Sequence, residues 1–171
     1  MINILFVCMG NICRSPSAEG FFARALQQSP FKEQVSIDSA GTHSYHVGHA
    51  PDERAVDTAA QFGVDISRLR ARKVAPADFY DYDLIVVMDR DNLAALQAIA
   101  PADATASLKM MMEYHPQGQP EEVPDPYYGG LDGFRYMCDL LDSSTSGLLK
   151  EVEGRLGRQG EQGQTDHQAR F

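Results

Sequence analysis

Between Cys8 and Arg14 the chain gathers a thiol, a glycine, an asparagine and a guanidinium, in the stretch Val7-Cys8-Met9-Gly10-Asn11-Ile12-Cys13-Arg14-Ser15-Pro16. A cysteine thiolate is a strong nucleophile, and arginine presents a planar fork of donors that fits two oxygens of a phosphate at once. Gly10 and Asn11 signal a tight turn. A loop set between a strand end and a helix start can turn several backbone N–H groups toward one point at the positive end of the helix dipole. Such a nest holds a tetrahedral dianion, and its field favours the thiolate form of a nearby cysteine. The chemistry this allows is in-line attack by the Cys8 sulfur on a bound phosphate. Ser15, beside Arg14, could then donate a hydrogen bond to the thiolate as it departs. Each residue also has a plain structural reading: a buried strand-end thiol, a helix cap, a solvated charge. A bare Cys-x5-Arg spacing carries little weight. The strand before the loop and the Ser-Pro helix start after it favour the anion site.

Attack on a phosphate ester needs an acid for the leaving oxygen. Asp125 is best placed by context, in Pro124-Asp125-Pro126-Tyr127-Tyr128-Gly129-Gly130, where two prolines stiffen the loop and two tyrosines can build an apolar wall. An apolar wall favours a protonated carboxyl. On local grounds alone, an Asp beside Pro is more often a turn residue.

The elements that must position these groups read as alternating strands and helices. Ile2–Cys8, Val35–Ala40, Leu84–Met88 and Leu108–Met112 are strand-like. Ser15 as N-cap and Pro16 as first helical residue open a helix that continues through Phe21, Phe22, Ala25 and Leu26. Further helices are expected over Pro51–Phe62, ending at Gly63, around Asn92–Ala100, and over about Asp132–Leu156. Alternation of this kind predicts a single α/β domain over residues 1–156, with a parallel sheet covered by helices on both faces. Residues 157–171, rich in Gly, Gln and Arg, read as a polar tail without a fixed fold.

The chain has 171 residues, 43% of them apolar, and a formal net charge of −9. So acidic a chain is a poor binder of nucleic acid or anionic membrane, so positive potential for a phosphate must be local. The longest apolar runs are too short to cross a bilayer, and no secretory leader is visible at Met1. Three cysteines make a sparse, odd set that suits a reducing compartment, which points to the cytoplasm.

The loop Cys8–Pro16 together with Asp125-Pro126-Tyr127-Tyr128-Gly129 resembles the low-molecular-weight protein tyrosine phosphatases, over about Ile2–Leu156. The resemblance implies a four-stranded parallel sheet, hydrolysis of phosphotyrosine through a phosphocysteine, and no metal or organic cofactor. By position, it implies Cys8 as nucleophile, Arg14 as the phosphate-binding arginine and Asp125 as the acid that later activates water. Met9, Gly10, Asn11, Ile12 and Cys13 complete the binding loop, with Asn11 holding a left-handed turn. Ser15 matches the hydroxyl near the thiolate, Ser39 a member of the supporting network, and Asp89 the carboxylate that orients the arginine. Tyr45, Tyr127 and Tyr128 match the slot for an aryl phosphate. Cys13 matches a thiol able to form a reversible disulfide with Cys8 under peroxide. A histidine of some members' network corresponds to Arg68. The expected partner is a tyrosine-phosphorylated protein or peptide, with the enzyme a monomer or weakly self-associating.

Two relatives on the same fold compete. Protein-arginine phosphatases typically carry Thr where this chain has Ile12, and a bulky aliphatic there crowds phosphoarginine. Arsenate reductases need redox cysteines after the loop, where only Cys138 follows. A non-catalytic phosphate-binding module is disfavoured by Cys8, Arg14 and Asp125 occurring together. His43, His46 and His49 recur at three-residue spacing, yet no cysteine or paired carboxylate completes a metal set.

Overall fold

Ile2–Cys8 is apolar on both faces, with Asn3 its one strongly polar residue, the pattern of a strand buried from two sides. In the computed structural model, which describes residues 1–168, it forms β1 (Ile2–Cys8) in the interior of a four-stranded sheet. β2 (Val35–Gly41), β3 (Leu84–Val87) and β4 (Ser107–Met110) complete the sheet in the order β2-β1-β3-β4, with every pairing parallel. The helices are α1 (Arg14–Gln27), α2 (Glu53–Gln61), α3 (Asp78–Asp81), α4 (Arg90–Ile99) and α5 (Leu131–Gln168).

Alternation along β1 splits the core in two. Ile4 and Phe6 pack with Phe21 and Phe22 of α1 and with Phe134, Met137 and Leu141 of α5. Leu5 and Val7 face the other way, against Val74, Phe79, Ile85, Val87 and Leu96. The Phe6 and Phe22 rings meet at 5.7 Å between centroids, and truncating such a ring costs roughly 3–5 kcal/mol. That packing fixes β1 and α1, and with them the two ends of the loop between Cys8 and Arg14.

Topology places the site. From β1 the chain winds out to β2 and then returns to β3 on the other side of β1. Connections leaving the carboxyl ends of β1 and β3 therefore diverge and open a crevice. Cys8 is the last residue of β1, and Asp89 follows β3 as the N-cap of α4.

Most boundaries shift by one or two residues from the sequence reading, and three of the differences have a plain physical cause. β4 ends at Met110 rather than Met112, because Glu113 accepts a hydrogen bond from the Met110 N–H at 2.6 Å and closes a 3-10 turn, Met111–Tyr114. α1 is capped at Cys13, not Ser15, and Pro16 lies in its first turn. α5 continues past Leu156 to Gln168. Extending a formed helix adds a bond per residue without a new nucleus, and Arg, Glu and Gln are good helix formers. Among residues whose burial is described, Leu156 is the last in the core, and residues 158–163 are exposed. The expectation of an unstructured tail thus fails over 157–168, while residues 169–171 lie outside the described residues. Among the described residues, no helix is long and apolar enough to cross a membrane.

Candidate active site

The turn after β1 is held from outside by its carbonyl oxygens. The Cys8 carbonyl accepts from Thr42 N–H at 3.0 Å, that of Met9 from His43 at 3.0 Å, and that of Ile12 from Asp52 at 2.8 Å. The first-turn N–H groups of α1 lack partners within the helix and are available to an anion. Asn11 has φ 57°, the left-handed region an asparagine tolerates. Its side chain keeps it there: Nδ2 donates to Ser15 Oγ at 2.8 Å and Ser39 Oγ at 3.0 Å, and Oδ1 accepts from Arg72 N–H at 3.0 Å. The Ser39 hydroxyl passes its own hydrogen to Glu19 at 2.7 Å.

Gly41, at the end of β2 and in register with Cys8, lets the turn pass. A Cβ there would lie 2.7 Å from the Met9 carbonyl oxygen and 3.2 Å from the Asn11 nitrogen.

Arg14 is buried, with 3% of its surface exposed. Its Nη1 donates to Asp89 Oδ2 at 2.5 Å and to the Val123 carbonyl at 3.1 Å, and its Nη2 lies 3.5 Å from Asp125 Oδ2. Burial opposes its charge, but Cys8, Asp89 and Asp125 outweigh that and hold the guanidinium above its ordinary pKa. Asp89 divides its oxygens, with Oδ1 taking the Asn92 N–H at 2.7 Å and Oδ2 taking Arg14. Helix cap and arginine orienter are thus one residue.

These groups open onto a cavity of about 330 Å³ lined by Cys8, Met9, Gly10, Ile12, Cys13, Arg14, Tyr45, His46, Asp125, Tyr127 and Tyr128. Cys8 Sγ lies 3.0 Å from Ser15 Oγ. Tyr127 and Tyr128 meet edge-to-face at 5.0 Å, and Tyr45 stacks on His43 at 5.4 Å, so aromatic rings stand around the mouth. A thiol at the floor, an arginine beside it and a carboxyl on the wall can act on a phosphate ester with an aromatic leaving group.

Residues 3–158 match the family model for low molecular weight phosphotyrosine protein phosphatase. The chain belongs to that family. It is 40% identical over 152 residues to a low molecular weight phosphotyrosine protein phosphatase of Schizosaccharomyces pombe, covering 88% of this chain and 97% of the relative. The crystal structure of an Entamoeba histolytica protein tyrosine phosphatase with Hepes in the active site matches with TM-score 0.86 at 36% identity, covering 90% of this chain and 98% of that one. A Drosophila arginine phosphatase structure matches with TM-score 0.79 at 30% identity, covering 87% and 96%.

Within this family member, the residues expected at the site divide into two layers. Ten line the cavity: Cys8, Met9, Gly10, Ile12, Cys13, Arg14, Tyr45, Asp125, Tyr127 and Tyr128. Asn11, Ser15, Ser39 and Asp89 stand behind them, joined by the hydrogen bonds above. Arg68, which stands where some members have a network histidine, is exposed, and the backbone N–H of Arg72 meets Asn11. His46, weighed only as a metal ligand, lines the cavity 6.4 Å from the Tyr127 ring. Among the described residues, no three His, Cys, Asp or Glu side chains are grouped to hold a metal ion. Burial, with Asp52 and Cys8 adding to it, pushes the Cys13 thiol far up. Gly41, Glu19 and Arg72 were not anticipated, because only the fold brings them to the loop.

Proposed function

We propose that this protein hydrolyses phosphotyrosine in proteins or peptides through a phosphocysteine intermediate. The observation that carries the reading is the meeting of Cys8, Arg14 and Asp125 in one cavity rimmed by tyrosines. Arg14 and the loop N–H groups hold the phosphoryl oxygens. The Cys8 thiolate attacks phosphorus, the P–O bond to the phenol breaks, and the Asp125 carboxyl gives its proton to the leaving oxygen. Asp125, now a carboxylate, takes a proton from water as that water attacks the phosphocysteine. The S–P bond then breaks toward Cys8, with the Ser15 hydroxyl beside the sulfur, and inorganic phosphate leaves. Asp89 orients Arg14 throughout.

A protein-arginine phosphatase is the competing assignment, and Ile12 in the cavity wall counts against it. We place the enzyme in the cytoplasm, as a monomer or weak self-associate acting on phosphoproteins. Cys13 shares the cavity with Cys8, which supports a reversible disulfide when peroxide oxidises Cys8 to a sulfenic acid and Cys13 displaces water from it. Turnover of matched phosphotyrosine, phosphoserine and phosphoarginine peptides tests the substrate. Phosphotyrosine is expected to be strongly preferred, and preferential release from phosphoarginine would overturn the assignment.

A further inference from the structure

The phosphate loop and the loop of Asp125 come from distant parts of the chain, yet one pair of residues is bonded to both. The Asp52 N–H donates to the Ile12 carbonyl in the phosphate loop at 2.8 Å. Its carboxylate caps α2 through Arg54 N–H at 2.9 Å, and also takes the Arg54 guanidinium side-on, through Nε at 3.0 Å and Nη2 at 2.9 Å. Arg54 Nη2 then reaches the Tyr127 carbonyl at 3.1 Å. The guanidinium carbon lies 5.5 Å from the Tyr127 ring centroid and 4.7 Å from that of Phe134, a core residue of α5. On the far side, the Tyr127 N–H donates to Asp125 Oδ1 at 3.0 Å.

We infer that Arg54 is a positioning residue for the acid: acting through Tyr127, it sets where the Asp125 carboxyl stands relative to the phosphate loop, and Asp52 ties that setting to Ile12. Stability does not explain the arrangement well, because the Asp52–Arg54 pair is partly exposed, and such pairs stabilise little. Arginine suits the role where lysine does not. Its planar fork grips Asp52 with two donors, still has one for the Tyr127 carbonyl, and brings its charge within cation–π range of two rings.

The inference rests on Asp125 being the acid, so the test separates the two claims. The readout is kcat/KM, which covers the steps through cleavage of the P–O bond, on phenyl phosphate (poor leaving group) and dinitrophenyl phosphate (good leaving group). Arg54→Met is expected to lower kcat/KM for phenyl phosphate by about 10-fold or more, and for dinitrophenyl phosphate by less than about 3-fold. Arg54→Lys keeps the charge and the stem, and with them the fold. It shows the same selectivity on a smaller scale, so the inference stands or falls even if the Met variant does not fold. In an Asp125→Asn background, either replacement is expected to change phenyl phosphate turnover by less than about 2-fold. Equal losses on the two phosphates, or a full further loss in the Asp125→Asn background, would overturn the positioning role. Should Asp125→Asn alone slow both phosphates equally, the acid assignment itself would fail, and that result does not involve Arg54.

Discussion

The Cys8 sulfur and the Ser15 hydroxyl oxygen stand 3.0 Å apart, and Asn11 Nδ2 donates to that same oxygen at 2.8 Å. With Asn11 as donor, the Ser15 hydrogen must go to the sulfur or to the Ala40 carbonyl at 3.4 Å. The sulfur is the nearer of the two acceptors, so it takes the bond.

Ser15→Ala therefore removes a charge-assisted donor from the step that regenerates the thiolate. Such a bond is worth about 1.5–3 kcal/mol, or roughly 10- to 150-fold in rate. We expect kcat to fall by more than kcat/KM, with phosphocysteine building up in the steady state. Rapid-quench measurement of the bound phosphoryl group checks this; a fall in kcat/KM alone would contradict it.

Gly41→Ala should damage the phosphate loop without touching substrate. The added methyl would meet the Met9 carbonyl oxygen at 2.7 Å, closer than side-chain carbons approach backbone, so the loop must shift. A displacement of about 1 Å at reacting groups can cost 100-fold. Loss of kcat/KM by at least about 10-fold is expected, with a folded protein by circular dichroism. An unchanged rate would mean that the strand end can yield instead.

Glu19 carries a pH signature. Burial, only partly offset by the Ser39 hydrogen bond, raises its carboxyl above the ordinary 4.5. A raised folded-state pKa means the native state binds the proton more tightly than the unfolded chain. The resulting stabilisation is complete below the unfolded value and is lost as pH rises through the folded one. Glu19→Gln should therefore gain stability relative to the parent as pH climbs from below 4.5 toward neutrality. Denaturant melts at several pH values measure this, and a gap between the two proteins that does not change with pH would contradict it.

How far the sequence went depended on how local the cause was. β1, the turn and α1 are contiguous, so an apolar run, a Gly-Asn turn and a Ser-Pro helix start spelled out strand, loop and helix before any fold was known. Asp125 stands out among the acidic residues by its Pro- and Tyr-flanked loop, but only the resemblance lifts it above an ordinary turn residue. Gly41 gave no local signal, because its need for a missing Cβ comes from a loop that its neighbouring strand delivers. Arg54 carries no local signal either, because its reach to Tyr127 depends on how α2 meets the loop before α5. Ser15 was misread as a cap because serine favours that position; here its hydroxyl is drawn to Cys8 and Asn11 instead.

The central claim is that Cys8 carries the phosphoryl group between substrate and water. Acid-quenching the enzyme during turnover of an aryl phosphate, then mapping phosphoryl adducts by peptide mass spectrometry, tests it most directly. One phosphoryl group is predicted on the sulfur of Cys8, absent from Cys8→Ser enzyme, which should still bind inorganic phosphate. Full turnover by Cys8→Ser, or a phosphoryl group found on Cys13 in place of Cys8, would contradict the account.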